Sequence, residues 1–317
     1  MTGMRRAGNR TRRGTAAVAV ALVCAALAGL AGCSGKPGGR PTVVVTTNIL
    51  GDITRNVVGD EADVKVLMKP NADPHSFGVS AAEAAQLESA DLVVYNGLGL
   101  EENVLRHVEA AKEAGVPTLG VGEAVSPLAY RTDKSEGQSD PHFWTDPYRV
   151  RKAVELIGDK VRKEVEGVDT KAVGEHATAY GKSVGRLGDW MRESFGSIPE
   201  KRRRLVTNHH VFGYMAERFG LRVVGAVIPS GTTLASPSAA DLKSLATAID
   251  KAGVKAIFVD SSQPDRLARV LKRESKVDVA VIPLFSESLT EKGKGAATYL
   301  QMMRSNTTAI ERGLSKS

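Results

Sequence analysis

Short runs rich in β-branched residues alternate with helix-patterned stretches through both halves of this 317-residue chain. In the first half, 42–46, 64–68, 91–95 and 117–121 read as strands, with helical patterns through Ile53 and Val57, over 81–89 and over 101–114. In the second half, strands at 205–207, 221–227, 256–259 and 279–282 alternate with helices through Phe219, over 238–252, over 264–274 and from about Ala296. Alternation of this kind fits parallel strands whose helical crossovers cover the sheet faces. Ligands of such sheets collect beyond the carboxyl ends of the strands.

Between the halves, Val173, Ala177, Tyr180, Val184, Leu187, Met191 and Phe195 recur at steps of three and four, marking one apolar helix face. Gly174, Gly181, Gly185 and Gly188 oppose that reading, since an interior glycine costs roughly 1 kcal/mol against alanine. The pattern still favours a single connecting helix. The expected fold is therefore α/β with two lobes, each a mainly parallel sheet flanked by helices. The N-terminal lobe spans 42–168, the connecting helix 169–197 and the C-terminal lobe 198–317.

Arg5, Arg6, Arg10, Arg12 and Arg13 precede a small-apolar stretch from about Ala16 to Leu30, which reads as a secretion signal over 1–32. It is too short and alanine-rich for a membrane span. Its end, Leu30-Ala31-Gly32-Cys33, resembles a bacterial lipobox, which implies lipidation of Cys33 and a flexible tether over 33–41. The expected location is the extracytoplasmic face of the cell membrane.

Five of the 43 basic residues lie in that leader and none of the 36 acidic ones does, leaving 38 against 36. The basic balance thus belongs to the leader and gives no support for nucleic-acid binding. Lys201-Arg202-Arg203-Arg204 is the remaining basic run, read as a solvated approach to a strand. The two cysteines are Cys24, inside the signal, and Cys33. Beyond Cys33 there is no thiol for a disulfide, so stability rests on the apolar core.

Histidine is scarce, with six residues, yet two occur in the same tripeptide: Asp73-Pro74-His75 and Asp140-Pro141-His142. Proline fixes its own φ and biases the preceding aspartate towards extended backbone, so each histidine sits on a stiff loop. His209 follows His142 at the interval that separates His142 from His75. Three imidazoles and a late carboxylate would fill a tetrahedral shell. The carboxylate would come from late in the chain; Asp260 is one candidate, although it better suits a cap for the helix beginning near Pro264. His209 and His210 are adjacent and cannot both point the same way. His107 and His176 fall in helical patterns and read as solvated. Asp73 and Asp140 suit hydrogen bonds that orient imidazoles.

Met68–His75, Asp140–Pro147, Thr207–Tyr214, and Leu284–Leu289 followed by Tyr299–Asn306 together resemble the zinc/manganese solute-binding lipoproteins of bacterial ABC importers. The likeness runs over nearly the whole chain beyond the leader. It implies metal ligation by His75, His142, His209 and Glu287, with His210, Asp73, Asp140 and Asp260 around them. In that family's third motif the ligand stands three residues before the phenylalanine, which selects His209 over His210.

Three departures stand out. Ser76-Phe77-Gly78 follows the first ligand where the family often has an acidic-aromatic pair. The stretch Tyr130–Ser139 lacks the histidine-rich loop of many zinc members. Glu287 stands where aspartate is usual.

The resemblance implies a monomeric capture protein rather than an enzyme, delivering Zn2+ to a permease and its ATPase, with Mn2+ as the alternative cargo. Histidine at the third position leans towards zinc, in keeping with nitrogen-rich ligation. An exported zinc-dependent hydrolase is the rival class, although no His-Glu-x-x-His or nucleophile-elbow segment is present. Affinity for the ion is expected to fall as the histidines protonate below about pH 6.5.

Overall fold

The computed structural model describes Gly3 and residues 39–131 and 135–315. The leader, Cys33 and most of the tether lie outside the described residues. Among the described residues no helix is long and apolar enough to cross a membrane.

The N-terminal half builds a four-stranded parallel sheet from β1 (Thr42–Val45), β2 (Asp63–Val66), β3 (Leu92–Tyr95) and β4 (Thr118–Gly120), in the order β2-β1-β3-β4. Val43 pairs with Val64 on one side and Leu92 on the other. Helices α1 (Asn48–Val58), α2 (Ala81–Glu88) and α3 (Glu102–Glu113) connect the strands, and a short α4 (Val121–Ala124) follows β4. The C-terminal half repeats the order with β5 (Arg204–Thr207), β6 (Arg222–Ala226), β7 (Ala256–Asp260) and β8 (Ala280–Leu284), arranged β6-β5-β7-β8. Its helices are α7 (Gly213–Phe219), α8 (Ala239–Ala252), α9 (Arg266–Glu274) and α10 (Tyr299–Ser315). All strand pairing within both sheets is parallel, so both halves aim their strand ends at loops that carry the histidines and Glu287.

Between the sheets run α5 (Pro147–Glu164) and α6 (Thr170–Gly196). The latter is unbroken despite its glycines. Val173, Tyr180, Val184, Leu187, Met191 and Phe195 are all buried along one face. Burying each is worth about 1.5–3 kcal/mol, against roughly 1 kcal/mol lost per glycine, so burial wins. Gly188 also has a packing reason, because a Cβ there would lie 3.1 Å from the Tyr148 ring. Asp169 caps the start by accepting from Lys171 and Ala172 N–H.

Sequence patterning did not single out α5, although Asp146-Pro147 announces it. Asp146 caps the helix through Tyr148 N–H and Pro147 occupies its first turn. The expected strand over 117–121 is also shorter, because Val121 already begins α4. His107 and His176 are half-buried rather than solvated, and the His176 ring packs on Gly59, where a Cβ would meet it at 2.4 Å.

The basic run is a solvated approach only in part: Lys201 and Arg202 are exposed, while Arg203 and Arg204 are half-buried. Arg203 donates to the carbonyls of Gly196 and Ile198 at the end of α6, at 2.9 and 2.8 Å. Arg204 donates to Ala252 O at the end of α8, and Arg202 to Ser315 O at the end of α10. Three successive arginines thus satisfy the carboxyl ends of three helices, where the backbone dipoles concentrate negative charge. Arg203→Ala is expected to lower unfolding free energy by about 1–2 kcal/mol in urea titrations. Lys201→Ala, at an exposed neighbour, should change it by no more than about 0.5 kcal/mol.

Candidate metal centre

Each Asp-Pro-His tripeptide folds into the same local turn. Asp73 Oδ1 accepts from His75 N–H at 2.9 Å, and Asp140 Oδ1 accepts from His142 N–H at 2.9 Å. The aspartate closes on the backbone two residues ahead, as short acidic side chains readily do. The proline between them stiffens that closure. Beyond this turn the two copies diverge. Asp140 Oδ1 also lies 2.7 Å from His142 Nδ1, so the ring proton sits on Nδ1 and Nε2 is left with its lone pair. Asp73 instead turns its Oδ2 to the C-terminal half, accepting from Thr233 Oγ1 at 2.6 Å and Gln263 Nε2 at 3.0 Å.

The second turn is wedged in place from both halves. Tyr214 Oη donates to Asp140 O at 2.6 Å and accepts from Leu128 N–H at 3.0 Å. Gly213 must lack a side chain, since a Cβ would lie 2.7 Å from Asp140 Oδ2. From the other side Asn96 donates to Pro141 O at 3.1 Å. Asn96 and Gly97 are themselves held by Glu101, a fully buried carboxylate that also accepts from Thr46. Burial pushes Glu101 up to about 7.

His209 follows β5, where Thr207 Oγ1 donates to its carbonyl at 2.7 Å. His210 turns elsewhere: its N–H bonds Ser230 O, and its ring centroid is 6.3 Å from that of Tyr130. Glu287 follows β8. Asp260, at the end of β7, accepts through Oδ2 from Ser286 N–H at 3.0 Å, Ser286 Oγ at 2.6 Å and Glu287 N–H at 3.2 Å. Asp260 therefore does not cap the following helix, which starts from Asp265. It fixes the backbone that presents Glu287. Trp144 Nε1 adds a bond to Ser286 O at 2.9 Å, and Asn48 clasps Ser288 and Leu289.

These placements bring His75, His142, His209 and Glu287 together, with one donor atom from each lying within 4.8 Å of all the others. His142 Nε2 is 3.4 Å from both His75 Nε2 and His209 Nε2. Glu287 Oε1 is 3.1 Å from His209 Nε2 and 3.6 Å from His142 Nε2, and Oε2 is 3.8 Å from His75 Nε2. Four ligands at about 2.0–2.1 Å from a tetrahedral ion are separated by about 3.3–3.4 Å, close to the spacing of these atoms. The four side chains are at most 3 % exposed.

Burial dominates the electrostatics. It lowers His75 and His209 to about 4 and His142 to about 3, and raises Glu287 to about 7. Near neutral pH three uncharged imidazoles therefore face a carboxylate on the verge of ionising. Neither Glu287 oxygen accepts a hydrogen bond from the described residues. A buried carboxylate without donors is costly, and a cation is its natural complement.

A family profile described as zinc-uptake complex component A, periplasmic (ZnuA), matches residues 43–313. The chain belongs to the ZnuA family. Among ZnuA-related proteins, zinc-binding protein TroA of Treponema pallidum is 29% identical over 282 residues, covering 88% of this chain and 90% of that one. Its solved structure superposes with a TM-score of 0.81 at 28% identity, covering 88% of this chain and all of that one. The manganese-binding lipoprotein MntA of Bacillus subtilis is 30% identical over 315 residues, covering 93% and 98% of the two chains. The α/β architecture of paired parallel four-stranded sheets is that of the TroA structure.

Asn48, Trp144, Tyr130 and Glu101 were not singled out from the sequence. Trp144 had a signal, standing two residues past the second histidine; Glu101 had none, because its partners come from two strand ends. Asp260→Ala would strand three buried donors, and is expected to lower unfolding free energy by about 2–4 kcal/mol in urea titrations.

Proposed function

We propose that this chain captures a divalent transition-metal ion, Zn2+ in preference to Mn2+, through His75, His142, His209 and Glu287. It then hands the ion to the permease and ATPase of an ABC importer. The observation that carries the reading is the buried Glu287 carboxylate, without a hydrogen-bond donor among the described residues, at the meeting point of three imidazole Nε2 atoms. Three nitrogens and one oxygen suit zinc, the softer of the two ions. The manganese reading draws on relatives named for manganese, such as the Bacillus subtilis MntA. Four protein donors fill a tetrahedral shell and leave no position for an activated water, which favours carriage over catalysis.

The reading includes a leader over 1–32, a lipid anchor at Cys33 and a tether over 33–41, placing a monomeric carrier on the outer face of the membrane. The lobes are 42–168 and 198–317, joined by the helix at 169–197.

Competition with a chromophoric chelator tests the ligand set. His209→Ala and Glu287→Gln are each expected to weaken Zn2+ binding by more than about 100-fold, beyond the 10–100-fold typical of outer partners. Retained affinity in both variants would remove the assigned shell.

The pH dependence follows from the shifted groups. The ion takes the ionised Glu287, so protonating that carboxylate as pH falls through about 7 competes with binding. Histidine protonation joins only near pH 4, because burial holds all three well below the ordinary 6.5. The onset thus comes from the carboxylate, not the imidazoles. Zn2+ affinity is expected to fall roughly sixteenfold between pH 7 and pH 5.5, approaching tenfold per unit for one displaced proton at the acid end. Calorimetry at pH 6 in two buffers of different ionisation enthalpy should show about one proton released per ion. A flat affinity over that range would contradict the assignment of Glu287.

A further inference from the structure

With all four donor side chains buried, an ion cannot enter or leave unless one wall of the site moves. The hydrogen bonds show which walls are fixed. The Glu287 segment is tied to Asp260, Trp144 and Asn48. The His142 turn is tied to Asn96 and Tyr214. His209 leaves directly from the central strand of its sheet, and Ile228 N–H bonds Asn208 O beside it.

The His75 loop differs. Its base is anchored, through Lys69 O to Asn48 and through Asn71 N–H to Leu289 O. Beyond Asn71, apart from the 3.4 Å approach of the His75 and His142 rings within the site, the hydrogen bonds among the described residues that leave the loop run from Thr233 and Gln263 to Asp73, with one 3.4 Å bond from Asn103 to Ser76 O. Thr233 sits on a surface loop whose next residue, Leu234, is 56 % exposed. The same Asp73 carboxylate bonds the His75 backbone through its other oxygen.

We propose that Asp73 is a latch: it positions His75, and the bonds it accepts from Thr233 and Gln263 must break for the ion to pass. This rests on the reading of the four-residue cluster as a metal site. Asp73 is a positioning residue, acting on the ion only through His75. A latch of this kind sets the release rate, because opening precedes departure of the ion. It leaves the donor set itself unchanged.

The test uses the double variant Thr233→Val/Gln263→Leu of the chain from residue 34 onward, loaded with Zn2+ or with Co2+ as a spectroscopic probe. Zn2+ release into excess chelator is expected to be at least tenfold faster than in the wild type. The visible Co2+ spectrum, which reports the ligands, should be unchanged, and Thr233→Ser should release at nearly the wild-type rate. Should the double variant fold poorly by circular dichroism, Thr233→Val alone carries the test, with an intermediate acceleration expected. Release within twofold of wild type from a folded variant overturns the latch, as does an altered Co2+ spectrum. A wild-type chain that binds neither ion would instead sink the metal-site reading, which separates the two failures.

Discussion

The structure turns on one buried carboxylate. Glu287 is buried, accepts no hydrogen bond from the described residues, and faces the Nε2 atoms of three imidazoles. Taken alone this arrangement is unfavourable, since burial raises the carboxyl to about 7 and keeps the imidazoles neutral. It becomes favourable when a small divalent cation stands among the four atoms. The folding energy that holds the donors together then also sets how strongly they attract the ion.

Much of the surrounding architecture serves to hold those donors still. Parallel sheets in both halves deliver loops from strand carboxyl ends, and the helices between the sheets pack a continuous apolar core against both. Repetition of Asp-Pro-His yields the same backbone turn twice, yet the two aspartates have different second partners. Asp140 reaches the ring of its own histidine, and Asp73 reaches across to Thr233 and Gln263. One turn is fixed within the site, and the other is held by contacts on its rim.

The sequence made the periodic parts of this fold legible. The helix over 170–196 stood out because its apolar face runs unbroken for many turns, which outweighed four glycines. The Asp-Pro-His pairs stood out because proline and a flanking aspartate force a local turn, whatever surrounds them. Other roles depend on neighbours that only the sheet order brings together. Asp260 holds Glu287 because β7 and β8 are adjacent, and no local pattern announces that. Arg202, Arg203 and Arg204 looked like a surface run because the three helix ends they cap are far apart in sequence. The helix Pro147–Glu164 is hard to read locally because Asp146-Pro147 ends a ligand motif while also starting a helix.

Zinc K-edge absorption of the purified chain carrying one equivalent of Zn2+ tests the central claim most directly. The account predicts three imidazole nitrogens and one carboxylate oxygen at about 2.0–2.1 Å from the ion. A spectrum with fewer than three imidazoles, or with a shell of six oxygens, would contradict it.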